Sequence, residues 1–391
     1  MESSALVYVV LTLVTVLFAF CIENREHVMG QLLAGTGAPI GKYRSRQDAR
    51  NVVAQVAVYG FLTAVSACRI AVGNDYWVYR ENFKLIMQER TVASEIGFNY
   101  IVKFLQLLFG YDNYLPVFGF FSALTVFFFV KALRDQGSYF AFSLFLLMTN
   151  GYYFNSLNSV RYYLALAIAL FAMKFVLRKE YIKFFVWVCV GFFFHKTILF
   201  IIPFFLVARY FAEHGIKKWQ WLVGVFLLSS LVWGQGIYRT LLFKIYPYYE
   251  GSAFDQGRFS YANIAKCLGV LVLCLICYKK SLKGEADITG EATEDSMGII
   301  MNRFYFLLNG MGLVVFFCGS FVPEVSRLGF YLIAPQIFLI PRVLGDMKSG
   351  IWKKLFYAGV IVAFAGYFVI LLKGMYATDV RLLPYLNWIF D

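Results

Sequence analysis

The sequence predicts an all-α fold, a polytopic bundle of membrane-crossing helices, and three observations carry that reading. Apolar residues make up 60% of the 391-residue chain and charged residues only 15%, against about 45–50% and about 25% in average globular chains. The 43 Phe and 27 Tyr are concentrated in runs longer than a core strand needs. Ten stretches are long and apolar enough to count as spans, given the roughly 20 residues that cross about 30 Å of hydrocarbon. A single soluble domain is largely ruled out.

In order, the spans are 3–22, 52–72, 115–133, 138–156, 160–177, 219–238, 261–278, 299–319, 327–345 and 354–372. The first lacks a basic stretch before it and a small-residue cleavage site after it, so it reads as a retained span. Residues 98–109 are shorter and carry Lys103 and Gln106, the mark of an interfacial helix. Residues 181–210 are too long for one simple span and hold His195-Lys196-Thr197 and Pro203. Pro335 and Pro341 predict a kink in 327–345.

Lys and Arg set the threading. The basic loops are 23–51, 131–137, 178–183, 209–218, 279–283 and 348–354, and basic loops stay cytoplasmic. All six lie inside together if 98–109 stays on the outer surface and 181–210 forms a re-entrant pair of half-helices meeting near His195. The expected organisation is therefore one transmembrane domain over 1–391, with both termini outside. It has a basic cytoplasmic loop at 23–51, outer loops at 73–114 and 239–260, and a flexible cytoplasmic loop at 279–298 between two helix bundles. Net charge of +13 then reflects loops facing anionic lipid, and nucleic acid is not an expected partner. The seven cysteines are scattered through apolar segments, so a metal or redox role for Cys274/Cys277 is not expected.

Unusual polar residues collect toward the outer side. Arg69 with Gly73, Asn74, Asp75, Tyr76 and Tyr79 is either a snorkelling anchor or part of a polar mouth for an anionic, hydroxyl-rich ligand. Glu95 is either a charge complementing a helix dipole or a carboxylate able to remove a sugar hydroxyl proton. Asn155, Asn158 and Arg161 head a span, and an intramembrane arginine suits a lipid phosphate or diphosphate. His195 sits at a helix break. Glu324, Arg327, Tyr331 and Gln336 lie at the outer end of another span, with Arg327 and Tyr331 one turn apart. Tyr248, Tyr249 and Tyr261 either stack on sugars or form an interfacial belt.

Taken together, Arg69 with Gly73-Asn74-Asp75-Tyr76 and Tyr79, Glu95-x-Gly97, Asn158-Ser159-x-Arg161, His195 after three Phe, and Arg327 with Tyr331 resemble the EpsG-like branch of bacterial Wzy-type polysaccharide polymerases, over roughly residues 50–345. The resemblance implies an enzyme of the bacterial inner membrane, similar to GT-C-type glycosyltransferases. It would join oligosaccharide repeat units carried on undecaprenyl diphosphate, for O-antigen, capsule or exopolysaccharide, on the extracytoplasmic face. It implies no cofactor and no metal, with lipid-linked donor and acceptor, membrane lipid, and the pathway's flippase and chain-length regulator as partners. Carried onto this chain, Arg161, Arg327 and Arg69 would hold the donor diphosphate, and His195 or Glu95, with Asp75, would form the catalytic group. Tyr76, Tyr79, Asn158 and Tyr331 would contact sugars. The rival readings are a transporter of lipid-linked oligosaccharide, which would spread its polar residues across the bilayer, and a membrane O-acyltransferase, which would use a buried His.

Overall fold

The structure, a computed structural model, describes residues 2–24, 28, 46–92, 94–245, 251, 260–277, 279–283, 294–318, 325–377 and 380–389. Most of the 23–51 loop, Tyr248 and Tyr249, the acidic stretch 284–293 and Glu324 lie outside the described residues.

The chain begins with α1 (Glu2–Ala19), α2 (Arg46–Ala67), β1 (Arg69–Ile70), α3 (Asp75–Met87), α4 (Ile96–Phe109) and α5 (Leu115–Gln136). There follow α6 (Phe140–Thr149), α7 (Tyr152–Asn155), α8 (Val160–Leu177), α9 (Tyr181–Phe192) and a 3₁₀ turn at Lys196–Phe200. Next come α10 (Ile201–His214), α11 (Lys218–Trp233), α12 (Gln235–Ile245), α13 (Tyr261–Ile276), a π-helical turn at Lys279–Lys283, α14 (Glu294–Phe317), α15 (Val325–Ile333) and α16 (Gln336–Asp346). The last elements are α17 (Ile351–Gly374) and β2 (Leu386–Asn387). Among the described residues, six segments are long and apolar enough to cross a membrane: 115–136, 160–177, 196–214, 297–317, 327–346 and 351–374, with shorter apolar helices besides. The protein is an all-α, multi-pass membrane protein.

Several boundaries differ from the sequence reading for identifiable reasons. The stretch 138–156 is two helices, because Gly151 adopts a left-handed conformation (φ 78°) between α6 and α7. The stretch 52–72 stops being helical at Ala67, where the chain turns extended and β1 pairs antiparallel with β2, Arg69 opposite Asn387 and Ile70 opposite Leu386. The 73–114 segment is mostly helical, with α3 preceding the expected short helix. The kink expected at Pro335 is a break between α15 and α16, since proline offers no N–H to continue the ladder.

The chain divides into two compact units, residues 1–199 with 348–391, and residues 200–347. At the centre of the first is α8, whose Ala- and Leu-rich sequence is apolar on every side and buried nearly throughout. Helices α5 and α9 pack on it through Phe128, Phe171 and Trp187, whose ring centroids lie 5.0–5.4 Å apart. Helix α17 touches the bundle through Tyr357 on Phe142 and Phe368 on Phe154, and leaves most of its surface exposed, as a lipid-facing helix does.

Helices α5 and α8 run side by side in the same direction, and their C-terminal ends share a charged cluster. Asp135 accepts from Lys174 Nζ at 2.6 Å and Lys131 Nζ at 2.9 Å, with Lys174 also 3.9 Å from the centroid of Phe171. The Asn24 amide donates to the carbonyls of Leu133, Arg134 and Gly137, which closes the end of α5. At about 1.5 Å per residue, the 22 residues of α5 place this cluster about 33 Å from the helix's other end.

The second unit packs α14 against α10, α13, α15 and α16. Its buried polar groups pair between helices: Gln336 Nε2 donates to Asn309 Oδ1 at 2.6 Å, and Arg342 Nε to Asn302 Oδ1 at 2.7 Å. Asn302 in turn donates to Asp346 Oδ2 at 3.2 Å. Such bonds specify helix partners where hydrophobicity does not.

Candidate active site

The polar residues singled out between 73 and 195 come together at the end of the first unit opposite the Asp135 cluster. Helix α3 opens at Asp75 after a turn through Gly73 (φ 91°). A Cβ at Gly73 would stand 2.9 Å from Asn158 Cα, so only glycine lets the turn lie against the chain leading into α8. Asn158 Oδ1 accepts the Asp75 backbone N–H at 2.9 Å, and the Ser159 hydroxyl donates to Asp75 Oδ2 at 2.9 Å. One carboxylate thus ties the starts of α3 and α8 together.

Glu95 occupies the N-cap position of α4 and makes no side-chain capping bond. Its carboxylate reaches outward instead. One oxygen pairs with Arg161 Nη1, and the other accepts the Lys196 backbone N–H at 3.3 Å. The Arg161 guanidinium lies 5.6 Å from the ring of Phe98 and 6.0 Å from that of Tyr79, and its backbone N–H donates to the Tyr79 hydroxyl oxygen at 3.4 Å. The pair is about one-fifth exposed, at 21% and 17%, which is enough for a ligand to reach it and too little for bulk water to screen it fully.

His195 stands in the break after α9. Its Nδ1 is 2.7 Å from Thr197 Oγ1, with the tautomer deciding which donates, and its ring meets Tyr162 edge-on at 5.5 Å. Helix α9 runs antiparallel along α8, with Trp187 beside Phe171 and His195 beside Tyr162. The break is therefore level with the first turn of α8, at its polar end, and α9 is more than a half-helix ending midway. The first turn of α4 rests on this break, since the Phe98 N–H donates to the Phe193 carbonyl at 3.3 Å. A Cβ on Gly97 would stand 2.6 Å from Phe193 Cβ and 2.9 Å from Phe193 O. Gly97→Ala is accordingly expected to cost about 1–3 kcal/mol by overpacking. Thermal unfolding in detergent, compared with Gly60→Ala within α2, where an added Cβ meets nothing, checks this.

Asp75, Glu95, Asn158, Arg161 and His195 thus converge from four separate parts of the chain, joined by direct bonds or through the Lys196 and Tyr162 neighbours. The EpsG family model matches residues 52–387. The chain belongs to the EpsG family. No curated protein and no solved structure matches it. EpsG is a Wzy-like polysaccharide polymerase family, and the match takes in every residue of the cluster.

Other residues expected at the site of this EpsG-family protein are placed differently. Arg69 does not line an open mouth: it is 1% exposed, with Nη1 donating to the Ser66 carbonyl and to Ser122 Oγ (3.1 Å) and its guanidinium 4.7 Å from Phe118. Nor does it snorkel to water. Tyr76 stacks on Phe118 at 4.8 Å and Tyr79 packs among Phe83, Phe98 and Phe118, so both rings are buried in protein. Burial raises both phenols above their ordinary range, which keeps them protonated. Arg327 and Tyr331 belong to the second unit, where Arg327 is exposed on α15 and Tyr331, one turn on, is fully buried.

Sequence reasoning missed the C-terminal segment of this EpsG chain. Gly73 N–H donates to Arg381 O at 2.8 Å, Asn74 N–H to Val380 O at 3.2 Å, and Trp388 N–H to Cys68 O at 2.9 Å, while the Tyr385 hydroxyl donates to Val65 O at 2.8 Å. Residues 380–388 therefore brace the turn that delivers Asp75. The chain's Leu-Pro-Tyr-Leu-Asn-Trp run carried no periodicity long enough to announce it.

Proposed function

We propose that the protein polymerises oligosaccharide repeat units carried on undecaprenyl diphosphate, transferring the growing glycan from its carrier onto the next lipid-linked unit at the extracytoplasmic face of the inner membrane. The observation that carries this reading is the Arg161–Glu95 pair with His195 in the adjoining chain break, in a chain of the EpsG family. Polarity along the first unit supports the sidedness. Lys131, Lys174 and the Arg178–Lys183 loop gather at the end opposite the cluster, and basic ends stay cytoplasmic. On this reading the cluster faces outward, in an arrangement like that of GT-C-type membrane glycosyltransferases.

In the proposed reaction the acceptor hydroxyl oxygen attacks the donor's anomeric carbon, and the bond from that carbon to the diphosphate oxygen breaks. The diphosphate leaves with the electron pair. Arg161, a planar fork in a site largely sheltered from water, stabilises that leaving charge without a metal. Glu95 has both oxygens engaged, so its part is to aim Arg161 and the chain at Lys196. That leaves the hydroxyl proton to His195, held through Nδ1 at Thr197. Asp75 and Asn158 fix the turn against which sugars would be oriented. The pathway's flippase and chain-length regulator would be its functional neighbours, serving exopolysaccharide, capsule or O-antigen assembly.

The test is a reconstituted reaction in nanodiscs with an undecaprenyl-diphosphate repeat unit, product length being read on a gel. Wild type is expected to form a ladder. His195→Ala is expected to slow it by about 100-fold or more, as loss of a general base does, with unfolding temperature unchanged. Repeat units that cross the bilayer without lengthening would replace the polymerase reading with the transporter.

A further inference from the structure

Between the end of α3 and the first half of α4 lies a cleft of about 320 Å³, lined by Ile86, Arg90, Ile96, Asn99, Tyr100 and Lys103 among others. It adjoins the candidate active site through the backbone: Ile96 follows Glu95, and the Asn99 amide donates to the Ser94 carbonyl at 3.2 Å just ahead of it. Two cations, Arg90 and Lys103, and one carboxylate, Glu89, line this cleft, which leaves it net positive. Arg90 is exposed, and Lys103 is held at 2.7 Å from Glu89 in a solvent-facing pair. A pair of that kind contributes little and yields readily to a more highly charged anion.

The helix that forms one wall has two apolar faces. Phe98, Val102 and Leu105 are buried against the unit. Ile96, Tyr100, Phe104, Leu107 and Leu108 form a second stripe at helical spacing, each 59–68% exposed. A buried helix needs only the first, whereas the second is the surface an interfacial helix turns to lipid, with Lys103 at its polar edge. Cations beside an open apolar stripe match one kind of ligand, an anionic head on a long hydrocarbon tail.

We propose that this cleft seats the diphosphate of the acceptor's polyprenyl carrier, gripped by Arg90 and Lys103, with the isoprenoid lying along Ile96, Tyr100 and Phe104. The assignment rests on the polymerase reading and adds to it a second diphosphate seat, distinct from the Arg161 seat for the donor. It gives the acceptor a defined lateral entry from the membrane and puts its sugar end toward Glu95 and His195. An ordinary anionic phospholipid shares the head-and-tail chemistry, and free diphosphate shares the head alone.

The experiment uses the full chain in phosphatidylcholine nanodiscs with a photoactivatable farnesyl diphosphate, labelled peptides being mapped after irradiation. Wild type is expected to be labelled within Ile96–Phe109 and near the start of α8. In Arg90→Ala/Lys103→Ala, labelling of α4 is expected to fall by about tenfold while the α8 label persists, and Arg90→Lys/Lys103→Arg is expected to restore it. Both residues are exposed or half-exposed, so the fold is not at stake. Excess inorganic diphosphate or phosphatidylglycerol is expected to compete at least about tenfold less well than unlabelled farnesyl diphosphate. Labelling of α8 alone, or α4 labelling indifferent to the double substitution, would overturn this assignment and leave the polymerase reading standing. Equal competition by phosphatidylglycerol would reduce the cleft to a general phospholipid seat and likewise overturn it. If no specific label appears anywhere, the polymerase reading itself falls and takes the cleft with it.

Discussion

Arg161→Ala is expected to lower the rate of glycan lengthening by about 100-fold or more, comparable to removing a preorganised charge-stabilising donor from an enzyme site. The expectation follows from where the side chain sits. It is mostly sheltered, bordered by the rings of Phe98 and Tyr79, and aimed by Glu95. Arg161→Lys keeps the charge and loses the planar fork, so about tenfold is the expected loss. Glu95→Gln separates the two possible meanings of the pair. If Glu95 aims the arginine, its loss matters little once Arg161 is already alanine, and a double-mutant cycle on the reconstituted reaction reads a coupling well above zero. If Glu95 is itself the base, the two losses multiply.

The second large effect lies at the other end of the same helices. Asp135→Ala is expected to destabilise the first unit by about 3–5 kcal/mol, because it strands the buried Lys174 ammonium without its carboxylate. Lys131, more exposed, can turn to water. The double variant Asp135→Ala/Lys174→Met removes both charges and is expected to recover most of the loss, since a buried pair replaced by apolar groups is often close to neutral. Unfolding temperatures of the single and double variants in detergent decide the matter. The two variants should form ladders of wild-type length wherever they remain folded, which separates the structural end of α5 and α8 from the reactive one.

Much of the scaffold was legible because its cause is local. Most of each apolar stretch is helical among the described residues, and Pro335 announced its own break. The helix break at His195 was visible in a run of three Phe followed by His-Lys-Thr and then Pro203. The grouping of Asp75, Glu95, Asn158 and Arg161 was legible as motifs heading helices, where side chains project toward one membrane face. What escaped depends on partners far away in sequence. Arg69 reads as a helix-end cation, and only Ser122 and Phe118 on α5 make it a buried one. Tyr76 and Tyr79 read as sugar platforms until the same Phe118 occupies their faces. The level of His195 relative to Arg161 is set by the antiparallel register of α9 on α8, which no property of 181–210 encodes.

The pairing of residues 69–74 with residues 380–387 has a consequence for how the protein is made. The turn carrying Asp75 is translated well before its extended partner, which lies on the far side of α17. Contacts so distant in sequence form late, after the intervening chain has been placed. The Asp75 turn therefore acquires its brace only when α17 has been made and has entered the bilayer. Until then a nascent chain carries every residue of the cluster without the geometry that makes them one site.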